Sequence, residues 1–289
     1  MPVSLLKVSG RTMLIFVACL VVVLALLYAF QRRLIYFPTH LDHSEWRDEV
    51  RSRFGSQAQM LEPFDAVIID PPRGGPVVGT ALWFHGNAGL AIDRVQFVSV
   101  FAERGLRLVL AEYPGYGARE GDPTEQTLVD DASALYMHVA QRYQGQPILL
   151  VGESLGSGVA VQVAARHPAP APSRLILLTP FLSVTETAAR AYWFLPVRFL
   201  VRDTFDSAGQ VANYSGPIAI LVAGKDQVVG ASQGRALAER ARTRGEVVSV
   251  EVGEAGHNSW FALMSEAQWN QLLGLPRLSA SAGRASPAQ

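Results

Sequence analysis

Cysteine is almost absent from this 289-residue chain, which has one, Cys19. That residue lies inside an apolar run, so an intrachain disulfide framework and a cysteine-based metal site are both excluded. Net charge is missing too: 25 Lys and Arg balance 25 Asp and Glu, for a formal net charge of zero. Without a basic excess there is no electrostatic footprint for nucleic acid or for strongly charged partners, and no nucleic-acid partner is expected. Clustered Cys and His are lacking, as is a strand followed by a glycine-rich phosphate loop, so no metal or organic cofactor is implied. Nor is there an internal repeat, and a chain of this size is expected to form one ordinary α/β domain beyond its N-terminal segment.

What is present begins with a run from Thr12 to Phe30 that holds no charged residue, glycine or proline. At about 1.5 Å per residue it measures roughly 27 Å, close to the ~30 Å of bilayer hydrocarbon. Lys7 and Arg11 precede it, and Arg32 and Arg33 follow. A cleaved signal would need a shorter apolar core and small residues at a cleavage site, whereas Tyr28-Ala29-Phe30-Gln31-Arg32-Arg33 is bulky and charged. The segment 12–31 is therefore expected to be an uncleaved, single-pass membrane anchor, which makes the bilayer a partner. The flanking positive residues nearly balance; the orientation favoured is N-terminus inside, with the following domain, 34–275, on the exported side.

Past residue 65, short β-branched or leucine-rich runs alternate with helical patterns. Strands are expected at 66–70, 80–85, 106–113, 147–152, 174–179, 218–223 and 247–252. Helices are expected near 92–104, 124–143, 155–167, 232–242 and 258–273. Several strands are apolar on both faces, as buried parallel strands are. The alternation predicts an α/β fold with a mostly parallel, doubly wound sheet that binds ligands at the carboxyl ends of its strands. The Ser-, Ala- and Pro-rich stretch 276–289 reads as a disordered tail.

Gly152-Glu153-Ser154-Leu155-Gly156 falls where Ile148-Leu149-Leu150-Val151 ends and a helical run begins. This is a G-x-S-x-G sequence in a strand-turn-helix setting, which can present Ser154 Oγ above the sheet as a nucleophile. The bland alternative is a plain glycine-rich turn. A serine hydroxyl needs a base and a carboxylate to become reactive, and in this setting the chain order is Ser, acid, His. After Ser154 only two histidines remain, and His167 ends the elbow helix beside Pro168, which leaves His257 in its glycine-flanked loop as the base. Asp226, just past the run 218–223, is the expected acid. Asp203 and Asp206 are alternatives within a lid-like segment, and Glu251 and Glu254 are weaker reserves.

A fourth element, Leu82-Trp83-Phe84-His85-Gly86-Asn87-Ala88-Gly89, ends a strand in a polar glycine-rich turn suited to an oxyanion loop. The expected donors are the backbone N–H of Leu155 and that of Asn87, with Ala88 as the alternative to Asn87. His85 is expected to support the turn by hydrogen bonding. The stretch Tyr113-Pro114-Gly115-Tyr116-Gly117 reads as a packed turn. Residues 191–201, with Tyr192-Trp193-Phe194-Leu195-Pro196, lie where a cap would be inserted. They are expected to line an acyl groove or touch the bilayer, or else to be ordinary core packing.

Taken with Leu34-Ile35-Tyr36-Phe37-Pro38, Glu112-Tyr113-Pro114-Gly115-Tyr116-Gly117, Thr179-Pro180-Phe181 and Gly256-His257-Asn258, these motifs carry a family resemblance. The chain resembles the α/β-hydrolase superfamily, in particular its membrane-anchored branch similar to the fission-yeast Bem protein and to the protein depalmitoylases. Arg119 and Glu153 depart from that pattern. The resemblance implies the α/β-hydrolase fold with a short cap, and a serine hydrolase acting on esters or thioesters of acyl lipids or acylated proteins. A peptidase on the same fold and a non-catalytic membrane-bound binding protein are the alternatives.

Overall fold

The computed structural model describes residues 10–72 and 76–278. Eight strands form one sheet: β1 (Ala58–Leu61), β2 (Ala66–Ile69), β3 (Gly79–Phe84), β4 (Leu106–Ala111), β5 (Ile148–Glu153), β6 (Arg174–Leu178), β7 (Ile218–Ala223) and β8 (Val247–Val252). Their spatial order is β8-β7-β6-β5-β3-β4-β2-β1, and β3 to β8 run parallel. Alternation along β3 shows how both faces are filled. Leu82 and Phe84 point into the apolar core on one side, while Ala81 and Trp83 enter the core on the other. Burial on both faces requires helical layers on each side, which the βα alternation supplies.

The chain leaves β3 for β4 on one side and returns to β5 on the other, so the topological switch lies between β3 and β5. Phe84 is registered against Gly152 there. The turn after β3 and the turn after β5 consequently emerge side by side, the place where an open α/β sheet offers a crevice.

Several elements differ from the sequence reading. The run at 66–70 ends at Ile69 and lies antiparallel to β4 instead of parallel. It forms a hairpin with the unanticipated strand β1, and a connection as short as 62–65 can join only antiparallel neighbours. The helix His43–Phe54 was also unforeseen. Asp42 caps it through the backbone N–H groups of Ser44 and Glu45, and Glu45 reaches back to the Asp42 N–H. Trp46, Val50 and Phe54, four residues apart, form its buried stripe. The stretch 92–104 divides into a 3₁₀ element, Ala91–Phe97, itself broken by the non-helical backbone of Arg94, and a short helix, Val98–Ala102. The stretch 258–273 divides into Trp260–Leu263 and Glu266–Leu273, because Ser265 with Gln268 starts a second helix with its own capping box. Of the tail expected from 276, Leu278 donates its backbone N–H to Glu103 O at 2.9 Å and Arg277 pairs with Glu103 and Glu266. Residues 279–289 lie outside the described residues.

Before the domain stands the helix Gly10–Phe30, 21 residues long with none buried, long and apolar enough to cross a membrane. Its end is tied to the domain. Gln31 Nε2 donates to Leu200 O at 2.9 Å and Gln31 Oε1 accepts from Arg202 N at 2.7 Å. Arg32 forms two hydrogen bonds with the buried Asp203 carboxylate, at 2.8 and 3.2 Å.

Candidate active site

Strand β5 stops at Glu153 and the helix Leu155–Arg166 starts two residues later, which leaves Ser154 to make the whole turn. It does so at φ 50° and ψ −115°, a left-handed conformation that costs a non-glycine residue on the order of 1–3 kcal/mol. The turn persists because its surroundings hold it. Ser154 N donates to Leu178 O at 2.9 Å, and its carbonyl accepts from Ser157 Oγ at 2.6 Å. Both flanking glycines are needed for close approach. A Cβ on Gly156 would run into the carbonyl oxygens of Phe84 and His85, and one on Gly152 would collide with Gly156 and come within 2.6 Å of Ser157 Cα. The helix therefore sits against the sheet at a distance only glycine permits.

His257, on the loop after β8, places Nε2 2.9 Å from Ser154 Oγ and Nδ1 2.7 Å from Asp226 Oδ2. The other carboxylate oxygen of Asp226 accepts the backbone N–H groups of Val228 and Val229, each at 2.9 Å. Burial works to raise the Asp226 carboxyl, but the hydrogen bond and charge of His257 and the backbone donors outweigh it and hold the group below the ordinary carboxylate range. An ionised Asp226 makes His257 Nδ1 the donor and leaves Nε2 to accept the Ser154 proton.

The competing acids are engaged elsewhere. Asp203 pairs with Arg32, and Asp206 caps the short helix Ser207–Gln210 through Gly209 N. Glu251 pairs with Arg235 and Glu254 with Lys225. His167 ends the elbow helix half-buried, its ring 5.2 Å from that of Tyr136. His85 is fully buried, with Nε2 2.9 Å from Glu112 Oε1. Glu112 also accepts the N–H groups of Tyr113 and Ala91, and Tyr113 Oη donates to His85 O, so the glycine-rich Tyr113 turn is packed beneath the loop that follows β3.

Asn87, in that loop, is held from three directions. Its carbonyl accepts from Phe37 N at 2.9 Å and Tyr116 Oη at 2.8 Å, while its side chain donates to Ile35 O at 2.8 Å. Asn87 and Leu155 both border the cavity above Ser154. That cavity has a volume of about 640 Å³. Its far end is built from Leu27 of the N-terminal helix, Gln31 and Leu34 just after it, Val184 of the helix Val184–Ala191, and Leu195 and Leu200 of the segment 191–201, which was expected to line an acyl groove; Leu27, Gln31 and Val184 carried no motif signal. Arg94 and Glu153 border it as an ion pair at 2.9 Å; the first was unremarked and the second had been noted only as an unusual residue. The segment 191–201 divides. Tyr192 and Leu195 face the cavity and Val197 is buried, but Trp193, Phe194 and Phe199 point away and are 81, 65 and 89 % exposed. Core packing therefore does not describe those three.

A hydroxyl, an imidazole and a carboxylate in this sequence of contacts, at the floor of a largely apolar cavity, can perform acyl transfer. A family model described as serine aminopeptidase S33 matches residues 75–205. The uncharacterized protein Rv2307c of Mycobacterium tuberculosis is 31 % identical over 254 residues, covering 82 % of this chain and 83 % of that protein. The lysophosphatidylserine lipase ABHD12 of Danio rerio is 34 % identical over 177 residues, 55 % of this chain and 46 % of that one. Among solved structures, the Pyrococcus furiosus esterase Pf2001 superposes with a TM-score of 0.61 at 15 % identity, covering 83 % of this chain and 96 % of that one. Sheet order, elbow and relatives together place the chain in the α/β-hydrolase superfamily.

Proposed function

We propose that this protein is a membrane-anchored serine hydrolase that cleaves carboxylic esters or thioesters carrying long apolar acyl groups. The observation that carries the reading is the Ser154–His257–Asp226 relay, at 2.9 and 2.7 Å, opening into a cavity whose far wall is apolar.

In the first step Ser154 Oγ forms a bond to the substrate's carbonyl carbon as its proton passes to His257 Nε2, and the carbonyl π electrons move onto oxygen. The N–H groups of Leu155 and Asn87 receive that oxyanion, each contributing roughly 3 to 4 kcal/mol to the transition state. Asp226 remains ionised and stabilises the imidazolium. Collapse of the intermediate breaks the bond to the alcohol or thiol, which leaves with the His257 proton. Water, deprotonated by His257, then attacks the acyl-enzyme, and the acid departs as Ser154 regains its proton.

The family description raises a second reading, an aminopeptidase. Such an enzyme needs a carboxylate to hold the substrate's terminal ammonium. Among the described residues bordering the cavity the only carboxylate is Glu153, already neutralised by Arg94, so the lining favours an acyl chain over a peptide terminus.

A fluorophosphonate probe tests the mechanism. The full chain is expected to be labelled and Ser154→Ala to remain unlabelled while folded; an unlabelled, folded wild type refutes the serine mechanism. A panel of p-nitrophenyl esters, palmitoyl thioesters and peptide amides then tests the substrate class, with turnover rising with acyl length and negligible on amides.

A further inference from the structure

The exposed aromatics of the cap, the polar ties to the N-terminal helix and the shape of the cavity meet in one place. Gln31 and Arg32, the two residues after the apolar helix, bind Leu200, Arg202 and Asp203, and the Arg202 guanidinium lies 5.6 Å from the centre of the Tyr28 ring. Residues 200–203 are thereby held level with the end of the span, where hydrocarbon gives way to headgroups. Immediately before them in the chain stand Trp193, Phe194 and Phe199, three large side chains that point away from the domain and stay mostly exposed among the described residues, with the Trp193 and Phe194 rings against each other. Arg33, just past the helix, and Arg202 stand at the helix end, where Arg202 lies over the Tyr28 ring, while Arg198 is paired with Glu186.

The cavity reaches the same place. Leu27 and Leu34, which close its far end, also line a second groove, shared with Val23, Leu26, Phe30 and Arg33 of the helix end. Cavity and groove thus share two walls, and together they run from Ser154 to the lipid-facing side of the span.

We infer that the cap face formed by Trp193, Phe194 and Phe199 is seated in the leaflet where the span ends, and that an acyl chain enters the cavity sideways from the bilayer past Leu27 and Leu34. The occupant of this face is phospholipid, because the patch is continuous with the helix suited to cross the bilayer and is bordered by arginines suited to headgroup phosphate. The entry route rests on the hydrolase reading above; the seating of the cap does not.

The test uses the full chain reconstituted into phosphatidylcholine and phosphatidylglycerol vesicles in which part of the lipid is brominated near the interface. Trp193 is expected to be quenched, so that the quenched share of tryptophan emission falls in Trp193→Phe. Equal quenching of wild type and Trp193→Phe overturns the seating, as does cross-linking of Phe199→Cys to a second copy at high yield, which would make the patch a dimer face. Function is read separately. Replacing Trp193, Phe194 and Phe199 together with serine should reduce hydrolysis of a vesicle-borne long-chain ester about tenfold while leaving short-ester hydrolysis in micelles within about twofold, as expected when interfacial apolar area is lost. Equal loss on both substrates overturns the entry route. Quenching needs no turnover, so a failure of the hydrolase reading, shown by absent fluorophosphonate labelling, is distinguishable from a failure of this one.

Discussion

The two ends of the cavity are built by different means. At the floor, Ser154, Asp226 and His257 sit on turns at the carboxyl ends of β5, β7 and β8, and close glycine contacts at Gly152, Gly156 and Gly224 hold those turns. At the far end, the N-terminal helix and the cap meet through a few polar ties, Gln31 to Leu200 and Arg202 and Arg32 to Asp203, around apolar side chains. A wall that must place atoms to fractions of an ångström is made of backbone. The far wall is made of interchangeable apolar side chains, whose packing depends mainly on volume and patterning and which suit the acyl chain proposed above.

That contrast can be broken from the rigid end first. Asp226→Asn is expected to lower kcat by about 10⁴-fold with the fold retained, because His257 loses the acceptor that sets its tautomer; steady-state kinetics on a short ester measures this. The same variant has a pH signature. A carboxyl held below its ordinary range in the folded chain binds fewer protons there than when unfolded, so its stabilisation is full above the unfolded carboxylate value and disappears as pH falls through the lower, folded one. The Tm advantage of wild type over Asp226→Asn is therefore expected at neutral pH and should shrink in acid. An advantage that grew in acid would contradict the assigned charge.

Gly156→Ala comes next. Its Cβ meets the carbonyls of Phe84 and His85, both backbone and unable to rotate away, so a loss of about 3 kcal/mol is expected, read by denaturant midpoint, with lost activity from the displaced loop at Asn87. The smallest effect belongs to the soft end. Arg32→Ala leaves the buried Asp203 carboxylate without its partner, but Arg32 is itself 37 % exposed, so only about 1–2 kcal/mol of stability should go. Its kinetic effect should fall on long-chain esters, with short esters unaffected.

The difference between the ends is also the difference in what could be read beforehand. The floor was legible because each part leaves a local mark: glycines flanking Ser154, an apolar run ending before Asp226, glycine beside His257. The hairpin of β1 and β2 was missed because β1 is four residues long with mixed burial and little periodicity. The helix His43–Phe54 did carry a signal, the Asp42–Glu45 capping pair before an apolar spacing of four, and was within reach. The cap was not. Tyr192 facing the cavity and Trp193 facing outward are neighbours of similar character, so local sequence does not separate them.

Residue order by itself determined the parallel sheet, the turn at Ser154, the order of acid and base, and a helix suited to a bilayer, since each follows from hydrophobic period or from the steric needs of a few adjacent residues. Tertiary structure alone decided that Asp203 is taken up by Arg32, that Asn87 is braced by Ile35 and Phe37, and that the N-terminal helix walls the cavity. Those outcomes rest on contacts between residues far apart in the chain, where the burial of one carboxylate beside a distant arginine or imidazole selects among groups that are locally equivalent.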